Sequence, residues 1–216
     1  MSEIDDAPPQ LSAETLKALQ EFLQEQKLNQ NDNEKVTENW QLSQFWYDDD
    51  TTHTLSNAAI SLCNEYGNVA LISCPTLYPT IKSIITHRKL NVNIKLLEFD
   101  KRFSKYGDDF IFYDYNDPHN IKQNYVNSFD VVIVDPPFLS EECLTKTIQT
   151  INRLKKSNCK IILCTGQIME QLANKLLNLN RCLFQPKHKN NLANEFICLT
   201  NFGELPPPPP PPSPTP

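Results

Sequence analysis

The chain has 216 residues, a length that suits one domain with a single hydrophobic core. Its formal net charge of -6 argues against a broad phosphate-binding face, so we expect no stable binding to nucleic acid. No apolar run approaches the roughly 20 residues that a membrane-crossing helix needs. The beginning, MSEIDDAPPQ, is acidic and unlike a signal peptide, which predicts a cytoplasmic protein without a membrane contact.

Cysteine and histidine spacing gives no sign of a metal site. The seven cysteines lack any C-x-x-C pair and mostly lie in apolar runs, which is typical of small core residues in a reducing compartment. The four histidines are scattered without ligand spacing; they are His53, His87, His119 and His188. We therefore predict that the protein holds no metal ion.

The first part of the chain differs in pattern from the rest. Apolar residues at helical spacing, with Ser12 as N-cap, predict a helix from Leu11 to about Lys27. Residues 29–38 are rich in asparagine and acids without apolar periodicity, which predicts a mobile link. We thus expect an N-terminal helix and link over 1–38, a folded domain over 39–203 and a tail over 204–216.

From residue 51 onward, strand-like and helix-like segments alternate. The strands are predicted near 69–73, 94–98, 110–114, 129–135 and 160–164, and the helices near 51–66, 77–89, 141–156 and 167–178. Short continuous apolar strands separated by helices predict a parallel sheet covered on both faces, a doubly wound α/β fold. Residues 181–185 and 195–201 then resemble two strands without a helix between them, which could pair antiparallel at one sheet edge.

The end of the chain is a polyproline segment. After Leu205 the sequence reads PPPPPPPSPTP, which has few backbone donors and no core-forming residues. It predicts a disordered, extended tail. Two roles remain open for it, a passive solvated end or a ligand for the aromatic groove of a proline-motif reader.

The predicted strand ends carry the candidate binding residues, because ligands of such sheets lie at the carboxyl ends of the strands. Glu98 follows the second strand and suits the two hydroxyls of a ribose, with Asp100 as the second candidate. A solvated acid that caps the next helix is the alternative. Asp114 and Tyr115 could hold an adenine, through the carboxylate and by ring stacking.

The sequence Asp135-Pro136-Pro137-Phe138 directly follows a buried strand. Prolines lack the backbone donor and fix φ, so the turn presents bare carbonyl oxygens beside an aromatic ring. The Asp135 side chain and the Pro136 carbonyl could accept the N–H bonds of an amino group and aim its lone pair at an electrophilic methyl group, while Phe138 packs on the substrate. A proline-rich strand stop is the structural alternative.

This motif and the order of the carboxylates resemble the class I methyltransferases with an (N/D)-P-P-(Y/F/W) signature, which act on amino groups of adenine and of protein side chains. Within them the chain resembles the eukaryotic elongation factor 1-alpha lysine methyltransferases, formerly described as N6-adenine-specific methyltransferases. The segments that carry this resemblance are QLSQFWY (41–47), EFDKRF (98–103), YGDDFIFYDYN (106–116), SFDVVIVDPPFLSEECLTKT (128–147), LCTGQIME (163–170) and NLANEF (191–196).

The resemblance implies a Rossmann-like fold with a mostly parallel seven-stranded sheet and an antiparallel C-terminal edge pair. It implies a cytosolic enzyme that transfers methyl groups from S-adenosylmethionine to a lysine of elongation factor 1-alpha. It makes Asp135, Pro136, Pro137 and Phe138 the amine site and Glu98 the ribose ligand. It also places four residues across the cofactor, for which aromatic core packing is the alternative; they are Gln44, Phe45, Trp46 and Tyr47.

One departure from the wider class concerns the first cofactor loop. That loop is usually rich in glycine, which lets the backbone approach the cofactor closely. Here only four glycines exist in the chain, and the loop reads Ser73-Cys74-Pro75-Thr76. Ser73 is the residue of this loop that we expect at the cofactor. The lack of glycine could result in weaker cofactor binding, a different cofactor pose or no catalysis.

Two other functions remain open. Methylation of adenine in DNA or RNA would use the same turn, but it requires base extrusion and a strand-binding surface. A non-catalytic adaptor that recruits partners through its tail would need no cofactor. How a lysine ammonium, with a reference pKa of about 10.4, loses its proton is not decided by the sequence.

Overall fold

The computed structural model describes residues 36–190, 192 and 194–207. The predicted N-terminal helix and nearly all of the predicted link lie outside this range, as does the tail beyond Pro207. The proposed division into 1–38, 39–203 and 204–216 therefore stays a prediction. Among the described residues, no helix has the length and apolar character needed to traverse a lipid bilayer.

One seven-stranded sheet organises the described chain. Its strands are β1 (Asn68–Ile72), β2 (Asn93–Glu98), β3 (Phe110–Phe112), β4 (Phe129–Val134), β5 (Lys155–Gly166), β6 (Asn180–Arg181) and β7 (Phe196–Thr200). The spatial order is β3-β2-β1-β4-β5-β7-β6, and β1 to β5 are mutually parallel. Strand β7 runs antiparallel to both β5 and β6. The predicted fold class, including the antiparallel edge pair, is confirmed.

Within the described residues, four α-helices connect or precede these strands. They are α1 (Asp49–Leu62), α2 (Leu77–His87), α3 (Glu141–Leu154) and α4 (Glu170–Leu177). Side-chain caps fix two of the starts, because the Asp48 carboxylate accepts from the Thr51 N–H and the Ser140 hydroxyl accepts from the Cys143 N–H. Helices α1 and α2 pack on each other, as do α3 and α4.

The core lies between the sheet and its helices. Alternate residues of β1, β4 and β5, such as Ile72, Val134 and Leu163, form one cluster with Ile148 of α3 and Ala173 of α4. The intervening residues of the same strands are buried as well. Burial on both faces explains why these strands read as continuous apolar runs.

Some boundaries differ from the prediction. Strand β5 begins at Lys155, directly after α3, and a register irregularity separates its polar beginning from the apolar part at 160–164. Strand β6 consists of Asn180–Arg181 and shares only Arg181 with the predicted 181–185. A 3-10 helix, Lys101–Asp109, separates β2 from β3, and Asp100 is its N-cap.

Candidate active site

A cavity of about 570 Å³ opens at the carboxyl ends of the parallel strands. It brings together twelve of the thirteen residues predicted to form the site. They are Gln44, Phe45, Trp46, Tyr47, Ser73, Glu98, Asp114, Tyr115, Asp135, Pro136, Pro137 and Phe138. The thirteenth, Asp100, does not line the cavity. Strands that run parallel end at the same sheet edge, which explains why residues far apart in the sequence meet here.

The turn after β4 presents Asp135 to the cavity. Its backbone N–H donates to the carbonyl of Ile72, which continues the pairing of β4 with β1 beyond the strand end. Its Oδ2 accepts a hydrogen bond of 2.7 Å from the Tyr47 hydroxyl. Burial, with a contribution from the charge of Glu98, raises the pKa of Asp135 to about 7, although the Tyr47 hydrogen bond acts in the opposite direction.

Tyr47 reaches Asp135 from a segment that lies outside the sheet. Residues 46–48 pair with residues 187–189 through two backbone hydrogen bonds, from Asp48 N–H to Lys187 O and from Lys189 N–H to Trp46 O. We call these two paired segments the clasp. An antiparallel bridge joins Tyr47 to His188 at its centre. The Tyr47 side chain is only 1% exposed.

Glu98 and Asp100 lie close together but face different surroundings. Glu98, at the end of β2, is buried and lines the cavity, and its Oε1 accepts from the Asp100 N–H and from Gln44 Nε2. Burial, with the nearby charge of Asp100, raises the pKa of Glu98. The Asp100 carboxylate instead pairs with Arg102 at 2.7 Å. Burial acts to raise its pKa, but the Arg102 and Gln44 hydrogen bonds lower it overall.

The loop after β1 contains a left-handed residue although it has no glycine. Ser73 itself adopts the left-handed conformation, with φ of 55°, and its N–H donates to the Leu97 carbonyl. The next residue, Cys74, is buried, and its thiol donates to the Ile133 carbonyl at 3.5 Å. The backbone thus makes the turn that glycine normally permits, while the Ser73 side chain lines the cavity.

Two aromatic residues of the cavity lining contact each other. Tyr115 and Phe138 meet edge to face, with ring centroids 5.9 Å apart. Phe138 is 42% exposed, so part of its ring is available to a substrate. The neighbouring Asp114 carboxylate accepts from the Asn116 N–H at 2.8 Å, which fixes the turn after β3 and orients that carboxylate at the cavity.

His188 and Phe196 line the cavity without having been predicted. Their rings meet at 4.6 Å, and the His188 ring also lies 5.1 Å from that of Tyr47. Burial lowers the pKa of His188 to about 4, so the ring is neutral at neutral pH. The sequence gives no local signal for this role, since His188 reads as part of a short basic cluster.

The charge of the cavity is acidic. Three carboxylates line it, those of Glu98, Asp114 and Asp135, and no lysine or arginine of the described residues does so. Its volume lies within the range of about 300–1,000 Å³ that small-molecule sites occupy. Acidic groups that accept hydrogen bonds, together with aromatic walls, fit a cationic sulfonium cofactor with ribose and adenine groups. No group of three or more potential metal ligands occurs in the described part of the chain.

Comparison with known proteins gives the family. A family model described as "Probable N6-adenine methyltransferase" matches residues 38–204. The chain is 46% identical to EEF1A lysine methyltransferase 1 of Gallus gallus, over 94% of this chain and 98% of that protein. It is 47% identical to the Homo sapiens protein of the same name, over 92% and 94%. A Caenorhabditis elegans relative, Protein-lysine N-methyltransferase M142.8, is 42% identical over 95% and 99%.

A solved structure supports the fold. The branched-chain polyamine synthase C9 mutein of Thermus thermophilus matches with a TM-score of 0.53 and 13% identity, over 85% of this chain and 62% of that one. Sheet order, cavity and relatives together define a Rossmann-like methyltransferase. The chain belongs to the family of the elongation factor 1-alpha lysine methyltransferases, and the resemblance found in the sequence is thereby confirmed.

Proposed function

We propose that this protein transfers methyl groups from S-adenosylmethionine to the side-chain amine of a lysine in elongation factor 1-alpha. The observation that carries the proposal is the Asp135 carboxylate, held by Tyr47 beside Pro136 in an acidic cavity. Relatives named for this activity share almost half of their residues with the chain over more than nine-tenths of its length.

The cavity residues divide into a cofactor part and an amine part. Glu98 is the acceptor for the ribose hydroxyls, because its carboxylate is buried at the end of β2. Asp114 and Tyr115 hold the adenine, and the backbone of the loop at Ser73 lies against the rest of the cofactor. When bound, S-adenosylmethionine supplies an already activated methyl group on its sulfonium sulfur. The Asp100 carboxylate forms an ion pair with Arg102, so Asp100 stabilises the structure beside Glu98 rather than binding the cofactor directly.

The amine part binds and orients the substrate nitrogen. The Asp135 carboxylate and the Pro136 carbonyl accept its N–H bonds, and Phe138 packs on the aliphatic part of the lysine. Because Asp135 has a pKa of about 7, its carboxylate is a proton acceptor for the ammonium at neutral to alkaline pH. Most of the rate enhancement comes from holding the amine in line with the methyl group.

Adenine methylation is the alternative that the name of the family model suggests. The turn at Asp135 would suit an exocyclic amine equally well. However, an extruded base brings phosphates with it, and proteins bind phosphates mainly through lysine and arginine. The described cavity lining carries carboxylates instead, which favour a cationic lysine.

Methyl transfer can be tested with labelled S-adenosylmethionine on purified elongation factor 1-alpha, total RNA and DNA in parallel. We expect label on the protein substrate only, and an increase in its intact mass. Asp135→Ala should abolish the transfer and keep the fold, whereas Asp108→Ala, at an exposed acid outside the cavity, should retain activity. Label on nucleic acid alone would contradict the proposal, and no label on any substrate would favour a non-catalytic adaptor.

Two further expectations belong to the same proposal. A cytosolic substrate implies a cytoplasmic enzyme, which fractionation of cells can test. Recognition of the tail by a proline-motif reader stays a prediction, since residues 208–216 lie outside the described range. A pull-down with the tail peptide, against a copy in which alanine replaces the prolines, tests it directly.

A further inference from the structure

Tyr47 makes a contact that its predicted role beside the cofactor does not explain. Its hydroxyl donates to Asp135 Oδ2 at 2.7 Å, and this bond joins a segment outside the sheet to the end of β4. In the described part of the chain, no hydrogen bond to Asp135 Oδ1 is found. The bond therefore engages one carboxylate oxygen of this cavity residue and leaves the other free to accept from a substrate.

The position of the Tyr47 hydroxyl is fixed from two directions. The clasp holds the Tyr47 backbone through hydrogen bonds on both sides of the residue, from Asp48 to Lys187 and from Lys189 to Trp46. The ring packs on His188, which in turn packs on Phe196 at the start of β7. A buried ring with a fixed backbone has little freedom to move its hydroxyl.

We propose that Tyr47 is a positioning residue that orients the Asp135 carboxylate toward the substrate amine. This inference rests on the proposed function. A carboxylate without such a partner can rotate about χ2, and only some of its orientations direct an oxygen at the amine together with the Pro136 carbonyl. The hydrogen bond selects one of them before the substrate binds, which lowers the entropic part of the barrier.

Tyr47 also affects the charge of Asp135. Its hydrogen bond acts to lower the pKa of Asp135, against burial and the charge of Glu98, which raise it. Removal of the hydroxyl should therefore raise the pKa of Asp135 and leave less carboxylate at neutral pH. The titratable groups around this pair are Glu98, Cys74, Cys164 and His188.

The test is Tyr47→Phe, which removes only the hydroxyl. The chain offers a matched control in Tyr78→Phe, because the buried Tyr78 also donates to a carboxylate, Asp109, at 2.8 Å, but does not line the cavity. For Tyr47→Phe we expect kcat to fall about ten- to a hundredfold, as for loss of a charged hydrogen bond. The acidic limb of the pH profile should move to higher pH, and Tyr78→Phe should change neither quantity.

The dissociation constant of S-adenosylhomocysteine, measured by calorimetry, separates this role from the predicted one. Tyr47→Phe should leave it unchanged if Tyr47 acts on Asp135. A weaker S-adenosylhomocysteine complex with unchanged kcat and pH profile would instead make Tyr47 a wall of the cofactor site and overturn the inference.

A second measurement does not depend on any substrate. The titration of the Asp135 carboxyl, followed by NMR in specifically labelled protein, should shift upward in Tyr47→Phe and stay in place in Tyr78→Phe. If Tyr47→Phe does not fold, 3-fluorotyrosine at position 47 retains the ring and donates more strongly, so the midpoint should shift downward. An unmoved Asp135 midpoint refutes the positioning role, whereas a lack of label on elongation factor 1-alpha refutes only the proposed substrate.

Discussion

Gln44 and Asp100 are joined by a hydrogen bond of 3.1 Å from Nε2 to Oδ2, and the same amide nitrogen lies 3.4 Å from Oε1 of Glu98. One neutral donor thus lies between two buried carboxylates. The side-chain carbonyl oxygen of Gln44 accepts a hydrogen bond of 3.2 Å from the Arg102 guanidinium, so the amide links this positive group to the two carboxylates. This arrangement holds Glu98 at the cavity although burial opposes its charge.

A carboxylate introduced at position 44 should disrupt the hydrogen bonds that join Gln44 to Glu98 and Asp100. Gln44→Glu removes the donor and adds a negative charge beside Glu98 and Asp100. We expect S-adenosylhomocysteine to bind at least about tenfold more weakly, because loss of a hydrogen bond to a charged group costs about 1.5–3 kcal/mol. Calorimetry measures the effect, and Gln123→Glu at an exposed position is the control. Equal binding by wild type and Gln44→Glu would show that Glu98 does not hold the cofactor.

The buried charge of Asp135 should appear in the pH dependence of stability. The fold raises the pKa of Asp135 from 3.8 to about 7, so its stabilising contribution is present below pH 3.8 and is lost as the pH rises through 7. Asp135→Asn cannot ionise. The melting temperature of this variant minus that of wild type should therefore increase between about pH 4 and pH 7 and level off above.

The expected change is about 10 °C or more, because one pKa unit corresponds to about 1.4 kcal/mol, 1 kcal/mol corresponds to about 2–4 °C for a chain of this size, and the pKa of Asp135 rises from 3.8 to about 7. Differential scanning fluorimetry across the pH range measures it. The variant Asp108→Asn provides the baseline, since Asp108 is an exposed residue outside the cavity. A flat difference for Asp135→Asn would mean that Asp135 is solvated and carries no raised pKa.

The left-handed conformation of Ser73 should make glycine the more stable residue there. Relief of a positive φ gains about 1–2 kcal/mol, and the greater freedom of unfolded glycine offsets part of it. We expect Ser73→Gly to raise the free energy of unfolding by about 0.5–1 kcal/mol. Urea denaturation is the measurement. Ser83→Gly, in the interior of α2, should instead destabilise the protein.

Phe138 should contribute to substrate affinity more than to the fold. Its ring is 42% exposed and contacts Tyr115 at the cavity. We expect Phe138→Ala to raise KM for the protein substrate about three- to tenfold, with a small change in melting temperature. Leu183→Ala removes a side chain that is 90% exposed and does not line the cavity, so its KM should equal that of wild type.

The sheet was largely predictable because its strands are buried on both faces. The apolar run from Val131 to Val134 is flanked by predicted helices and therefore predicts a central strand. This prediction also gives the position of the strand end. The polar beginning of β5 was not predictable, since residues 155–159 carry no apolar pattern and form a strand only through pairing with β4. Tertiary pairing, not local propensity, determines that boundary.

The site was predictable where a strand end supplied the residue. Glu98 is the last residue of β2 and Asp135 directly follows β4, so topology alone brings them to one cavity. The partnership of Tyr47 with Asp135 and the place of His188 depend on the clasp, whose two halves are about 140 residues apart. Neither half of the clasp has a sequence pattern that predicts its partner. A long-range backbone pairing of this kind produces no periodic pattern of apolar residues.

The clasp separates two tasks along the chain. In the proposed mechanism the strand ends supply the acceptors for the cofactor, whereas residues 46–48, which precede the first strand, supply the hydroxyl that orients Asp135. A shortened chain that begins at α1 would retain all seven strands and still lack that hydroxyl. Exchange of this short segment between related enzymes should therefore change the orientation of Asp135 and leave the strands of the sheet intact.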